Sequence, residues 1–219
     1  MGYFRATHRI EKNGPAPAGT TVMIHGLFMG SFMMSRIAAY FRERGWCVVL
    51  YDYPTMRKKI CAHGSDLAEF IGLPLFDNIP RIDFVTHSMG GILLRAALAQ
   101  MTEAECRNID AVVMLGPPNR GSILAALGAN ALVRRVNASL GDMTTDENSF
   151  VNTLPPPVFV PPVGIVAGRF DGKVALDNTS LPDGQPFERL VVDCTHPGLR
   201  DPRHTLEPIR RFLLRKTFA

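Results

Sequence analysis

Ser88 is where this chain concentrates its chemical promise. It stands in Phe84-Val85-Thr86-His87-Ser88-Met89-Gly90-Gly91, between the β-like run Arg81–Val85 and the helix-like run Gly91–Ala99. A serine hydroxyl is a weak nucleophile and needs a base beside it. A sharp strand-to-helix turn lifts Oγ clear of the backbone, and the helix N-terminus behind it favours developing negative charge. Such a serine asks the rest of the chain for a base, an acid and donors for an oxyanion. Asp171 or Asp177 and His196 or His204 are of the required types, and all four lie downstream of Ser88.

The surrounding pattern supplies elements to hold them. Short apolar runs at Thr20–His25, Trp46–Asp52, Ile82–Thr86, Ala111–Leu115, Val163–Ala167 and Arg189–Asp193 read as strands. Most are continuous rather than alternating, which marks strands buried on both faces, as in a parallel sheet between helices. Helical stretches fall between them at Ser31–Arg44, Ser65–Gly72, Met89–Met101, Ser122–Val136 and Leu206–Lys216. Ser31 and Ser65 are read as N-caps and Gly45 as a helix stop. The alternation predicts an α/β fold with about six strands, mostly parallel, and helices on both faces. Residues 137–162 break the rhythm with Pro155-Pro156-Pro157 and Pro161-Pro162, which forbid a central strand or a helix interior. That stretch is either a long surface connection or a partial cap over a site.

Composition narrows the class. A chain of 219 residues with 46% hydrophobic and 20% charged residues can bury one good core, so a single domain over 1–219 is expected. No apolar run is long enough to span a bilayer, and residues 1–10 lack the apolar region of a signal peptide. The net charge of +4 comes from scattered basic residues and does not point to nucleic acid. Cys47, Cys61, Cys106 and Cys194 form no CxxC pair, so no metal site is expected. Cys47 and Cys194 read as buried thiols. A reducing, cytoplasmic setting fits best, although four cysteines also allow two disulfides in a secreted form. His8 and His63 read as surface residues.

Several strings share a family likeness. Thr86-His87-Ser88-Met89-Gly90-Gly91 resembles the nucleophile elbow of α/β-hydrolases, with Thr86 where the family's first glycine stands. His25-Gly26-Leu27-Phe28, after the first apolar strand, resembles the oxyanion-hole loop. Gly116-Pro117-Pro118-Asn119-Arg120-Gly121-Ser122 resembles a loop-shaping string of small bacterial lipases, with Ser122 a helix N-cap rather than a nucleophile. From about Thr20 to its end the chain resembles the compact lipase/esterase branch of the α/β-hydrolase superfamily.

The resemblance implies a three-layer α/β-hydrolase fold without a large lid domain. It implies a Ser-His-Asp triad in the chain order Ser…Asp…His. Ser88 is then the nucleophile, with His87 structural. Asp171, in Asp171-Gly172-Lys173-Val174 past a strand end, is preferred to Asp177 as the acid. His196, just past the last strand, is preferred to His204 as the base. The Leu27 and Met89 N–H groups become the oxyanion donors. Phe28 is placed in the substrate site, with Met29, Met33 and the Leu124–Leu132 stretch as further candidate linings. The implied reaction is hydrolysis of a small-molecule ester with an apolar acyl group, through an acyl-enzyme and without cofactor or metal. An acyl thioesterase or acyltransferase would use the same residues. A non-catalytic ligand-binding relative is the other class.

Overall fold

The computed structural model describes residues 6–11, 19–122, 139–157, 161–182 and 184–219. Its strands are β1 (Thr7–Glu11), β2 (Thr20–Ile24), β3 (Cys47–Asp52), β4 (Ile82–His87), β5 (Ile109–Leu115), β6 (Val163–Gly168) and β7 (Glu188–Val192). They form one sheet in the order β1-β3-β2-β4-β5-β6-β7. β1 pairs antiparallel with β3, and every other pair is parallel. β2, β4 and β6 are buried along their whole length, which is why they read as unbroken apolar runs.

Helices cover both faces. α1 (Ser35–Glu43) and α6 (Pro202–Arg215) bury Ile37, Phe41, Ile209 and Phe212 against Met23, Leu50, Val85 and Val113. α2 (Ile60–Ile71) and α3 (Met89–Leu98) bury Leu67, Phe70, Ile92 and Leu93 against Val22, Tyr51, Phe84 and Met114. The two sets of strand residues alternate along each strand, as the pleat requires. Two short helices, α4 (Glu103–Cys106) and α5 (Phe150–Thr153), complete the described helical set.

The chain runs β2, then out to β3, then back across to β4 on β2's other side. The order therefore reverses between β2 and β4. Ligand sites of open α/β sheets lie at the carboxyl ends of the strands at such a switch point. The loop after β2 and the turn after β4 carry His25-Gly26-Leu27-Phe28 and Ser88 respectively.

Several sequence expectations need correction. To the about six strands expected, Thr7–Glu11 adds an antiparallel edge strand whose exposed side chains give no apolar run. α2 starts at Ile60, not Ser65. Ser65 lies inside that helix and donates to the Cys61 carbonyl. The helix is capped from afar: the Ile60 N–H donates to the Asp142 carboxylate at 2.8 Å. His63 consequently faces inward, 1% exposed, with its ring 5.0 Å from that of Tyr53. Ser31 is no N-cap either, since its N–H and hydroxyl both go to Asp52. α6 begins at Pro202, capped by Asp201, ahead of the expected Leu206. Gly45 does end α1, at φ +80°.

The Ser122–Val136 helix and the Leu124–Leu132 lining lie outside the described residues, apart from Ser122. Within 139–157 the chain is no mere surface strap: Leu140, Met143, Val151 and Leu154 join the apolar core. No described helix is long and apolar enough to cross a membrane. Cys47, Cys106 and Cys194 are buried, Cys61 is exposed, and all four are unbridged.

Candidate active site

The turn after β4 puts Ser88 in an unusual backbone state, φ 53° and ψ −125°. Positive φ is uncommon for a residue with a side chain and costs of order 1–3 kcal/mol. Backbone bonds hold it there: Ser88 N–H donates to the Leu115 carbonyl (2.8 Å) and Gly91 N–H to the Ser88 carbonyl (2.9 Å). The neighbours Met89, Gly90 and Gly91 open α3 directly behind it. Thr86, in place of the expected glycine, is fully buried. The room it needs comes from Gly91, where a Cβ would lie 3.3 Å from Thr86 Oγ1. Among the described residues that hydroxyl has no hydrogen-bond partner.

The loop after β2 lies against this turn. A Cβ on Gly26 would come within 2.9 Å of Ser88 Cβ and 3.0 Å of His87 Nδ1, so only glycine lets the two segments meet. Leu27 follows, then Phe28 at φ 58°, whose N–H donates to Thr55 Oγ1 at 3.2 Å. Among the described residues no acceptor takes the Leu27 N–H or the Met89 N–H. Phe28 projects its ring at 64% exposure, while Met29 and Met33 are half-buried.

The loops after β6 and β7 bring Asp171 and His196 together. Phe170 N–H donates to the Cys194 carbonyl (3.1 Å), tying one loop to the other. His196 Nδ1 lies 2.6 Å from Asp171 Oδ2, with the two side chains 4% and 2% exposed. The other carboxylate oxygen accepts the Lys173 and Val174 N–H groups at 2.8 and 2.9 Å. The carboxylate is therefore fixed at both oxygens, and a charge-assisted bond of this length orients the imidazole and settles which nitrogen carries its proton.

Gly116, at the end of β5, joins this pair to the elbow. Its neighbour Leu115 accepts the Ser88 N–H, while a Cβ on Gly116 would lie 3.2 Å from His196 Nδ1 and 3.3 Å from Asp171 Oδ2. His87 braces the same region. Its ring centroid is 4.9 Å from that of His196, and its Nε2 approaches the His196 carbonyl at 3.4 Å. Complete burial, reinforced by His196, pushes the His87 imidazole well below its ordinary range. It stays neutral and serves as packing.

The Asn119 string acts at one remove. Asn119 is fully buried and donates to the Thr179 carbonyl (2.8 Å), while Arg95 of α3 donates to the Asn119 carbonyl (3.1 Å). These bonds link α3, the loop after β5 and the segment following Asp171. Burial lowers the Arg95 guanidinium to about 10, which still leaves it charged at neutral pH. Ser122 donates to the Lys173 carbonyl at 2.7 Å, two residues from Asp171.

The rival residues lie elsewhere. Asp177 is exposed and begins a 3-10 turn, Asp177–Thr179. His204 sits in the first turn of α6, its N–H bonded to the Asp201 carbonyl at 3.1 Å. A cleft of about 510 Å³ between β1 and α2, lined by Tyr51, Lys58, Asp66 and Phe70, lies apart from Ser88, Asp171 and His196, none of which lines it. Among the described residues no His/Cys/Asp/Glu cluster could hold a metal ion.

A strained serine at a strand-to-helix turn, on an α/β sheet at its switch point, defines a class of protein. The sequence profile of the alpha/beta hydrolase family matches residues 21–215, and the chain belongs to that family. Solved structures share the fold at low identity. A lipase from Bacillus licheniformis, BlEst2 in its mature form, is 18% identical with a TM-score of 0.71, over 94% of this chain and 98% of that one. A thermophilic esterase from Thermogutta terrifontis is 13% identical with a TM-score of 0.63, over 96% and 93%. A bromoperoxidase from Bacillus anthracis is 14% identical with a TM-score of 0.63, over 95% of each chain. No curated protein matches the sequence. Neighbours of such different chemistry show the fold alone, and function must be argued from the site.

Proposed function

We propose that this protein is a serine carboxylic-ester hydrolase. The observation that carries the reading is the buried 2.6 Å contact between His196 Nδ1 and Asp171, one glycine away from the strained Ser88 turn. Ser88 Oγ attacks the acyl carbonyl as the free ring nitrogen of His196 takes its proton. The carbonyl oxygen becomes an oxyanion and receives the Leu27 and Met89 N–H groups, each such donor worth roughly 3–4 kcal/mol in the transition state. Asp171 stabilises the imidazolium without accepting its proton. The tetrahedral intermediate collapses, the C–O bond breaks, and His196 protonates the departing alcohol. Water then attacks the acyl-enzyme, giving a proton to His196 and releasing the acid with Ser88 restored. No step calls for a cofactor or a metal. The exposed Phe28 ring beside Leu27 supports an apolar acyl group on a small-molecule substrate.

The test is covalent labelling with a fluorophosphonate, paired with hydrolysis of p-nitrophenyl esters of graded chain length. Wild-type protein is labelled and turns over, and Ser88→Ala does neither. Equal labelling of the two proteins, or an inert wild type, rejects the reading.

A further inference from the structure

His25 stands between β2 and the Gly26–Leu27 loop, and both of its ring nitrogens face oxygen. Nε2 lies 2.7 Å from Asp52 Oδ1, and Nδ1 lies 3.0 Å from the Gly26 carbonyl oxygen. A carbonyl oxygen can only accept, so Nδ1 is the donor to Gly26. The ring is fully buried and stacks on Tyr53 at 4.5 Å. The Tyr53 hydroxyl donates to the His25 carbonyl at 3.0 Å, and the Tyr53 N–H donates to Nε2 at 3.3 Å. Little in this arrangement is free to turn.

The Gly26 carbonyl and the Leu27 N–H belong to one peptide unit. That unit is a rigid trans plate, with C=O and N–H pointing in opposite directions. Whatever holds the carbonyl end therefore aims the N–H end. A bond at the carbonyl also polarises the unit and makes its N–H a stronger donor. Asp52 touches the same loop a second time: its Oδ1 and Oδ2 accept the Ser31 N–H and hydroxyl at 3.3 and 3.4 Å. One carboxylate thus grips the loop at both of its ends. The His25 contact holds that carboxyl below its usual range, so it is ionised at neutral pH.

We infer that Asp52 and His25 are positioning residues for the oxyanion hole, Asp52 fixing the His25 ring and the ring aiming the Leu27 N–H through the Gly26 carbonyl. The inference rests on the reading of Leu27 as an oxyanion donor. It gives the β3 end a task in the reaction that neither the elbow nor the Asp171–His196 pair performs.

Asp52 is the residue to change, because its side chain is 42% exposed and its removal opens no buried cavity. Asp52→Ala and Asp52→Asn are compared with wild type in steady-state hydrolysis of a p-nitrophenyl ester, thermal melting and fluorophosphonate labelling. Loss of a whole oxyanion donor costs about 10²–10³ in kcat, and a misaimed one loses part of that. The expected result for Asp52→Ala is a kcat lowered about tenfold or more with KM unchanged, measured well below the melting temperature of the variant. That split marks an interaction made only in the transition state. Asp52→Asn keeps a polar group of the same shape beside His25 Nε2 and Ser31 and recovers most of the rate. Wild-type kcat in Asp52→Ala, a change confined to KM, or a loss that tracks melting temperature overturns the inference while ester hydrolysis by the wild type stands. An unlabelled, inert wild type overturns the hydrolase reading itself and takes this inference with it.

Discussion

Gly116 should be a sensitive position beside Ser88, Asp171 and His196, and Gly116→Ala tests that directly. Its φ is +55°, a region where a residue with a Cβ loses about 1–2 kcal/mol. The new Cβ would also sit 2.6 Å from Leu199 Cδ1. Leu199 is fully buried, so displacing its methyl into the packed core has the character of overpacking, worth about 1–3 kcal/mol. Together the two effects predict a stability loss of about 2–5 kcal/mol, a melting temperature lower by roughly 5–15 °C. The chemical consequence is separate. The same Cβ lies 3.2 Å from His196 Nδ1 and 3.3 Å from Asp171 Oδ2, so it presses on the two atoms of the 2.6 Å bond. Displacement of a reacting group by a fraction of an ångström to 1 Å costs up to about 10² in rate. Melting and ester hydrolysis are measured side by side. Gly172→Ala is the control: it adjoins Asp171, is exposed, has no positive φ and would place its Cβ in open space. It should leave both quantities near wild type. A Gly116→Ala protein with wild-type stability refutes the steric argument. One that is destabilised yet turns over at the wild-type rate while folded refutes the role given to the His196–Asp171 pair.

Two further outcomes follow from buried polar groups. Thr86→Val removes the unpartnered Oγ1 while keeping the shape, so the protein should be as stable as wild type or up to about 1 kcal/mol more stable in urea denaturation, and a clear loss would mean the hydroxyl has a partner after all. Burial holds His63 down to about 4, so between pH 6.5 and 4 the unfolded chain binds a proton that the folded chain refuses, and the His63 contribution falls as pH falls. His63→Phe should therefore gain about 2 kcal/mol on wild type between pH 7 and pH 4.5, and a pH-independent difference sinks the argument.

The parallel sheet was legible because burial on both faces forces unbroken apolar runs, and β2, β4 and β6 have them. β1 was only weakly legible as a strand. Four of its five residues are exposed, so no periodicity marks it, and its pairing with β3 is a tertiary fact. The start of α2 was hidden for a similar reason. Its cap is a carboxylate at residue 142, far along the chain from Ile60, so the nearest serine, Ser65, looked like the boundary. His63, read as a surface residue, is buried by the same helix. Asp171 and His196 could be placed by type after strand ends, but their 2.6 Å contact could not, since each stands on a different strand's loop. His25 was legible as part of a His-Gly pair and not as a ring bonded to Asp52 and to the Gly26 carbonyl.

Thr86 makes the more general point. The glycine usual at that place in a nucleophile elbow has no chemical duty, because what the turn needs is clearance between the end of β4 and the first turn of α3. Here the strand side carries a fully buried threonine and the helix side carries Gly91, whose missing Cβ leaves Thr86 Oγ1 its space. The constraint is on the sum of two volumes, and the sequence meets it from the other side. A literal search for the glycine would reject this chain. A reading of Thr86 and Gly91 as one packed pair accepts it, and explains why the strained φ of Ser88 survives beside a bulkier neighbour.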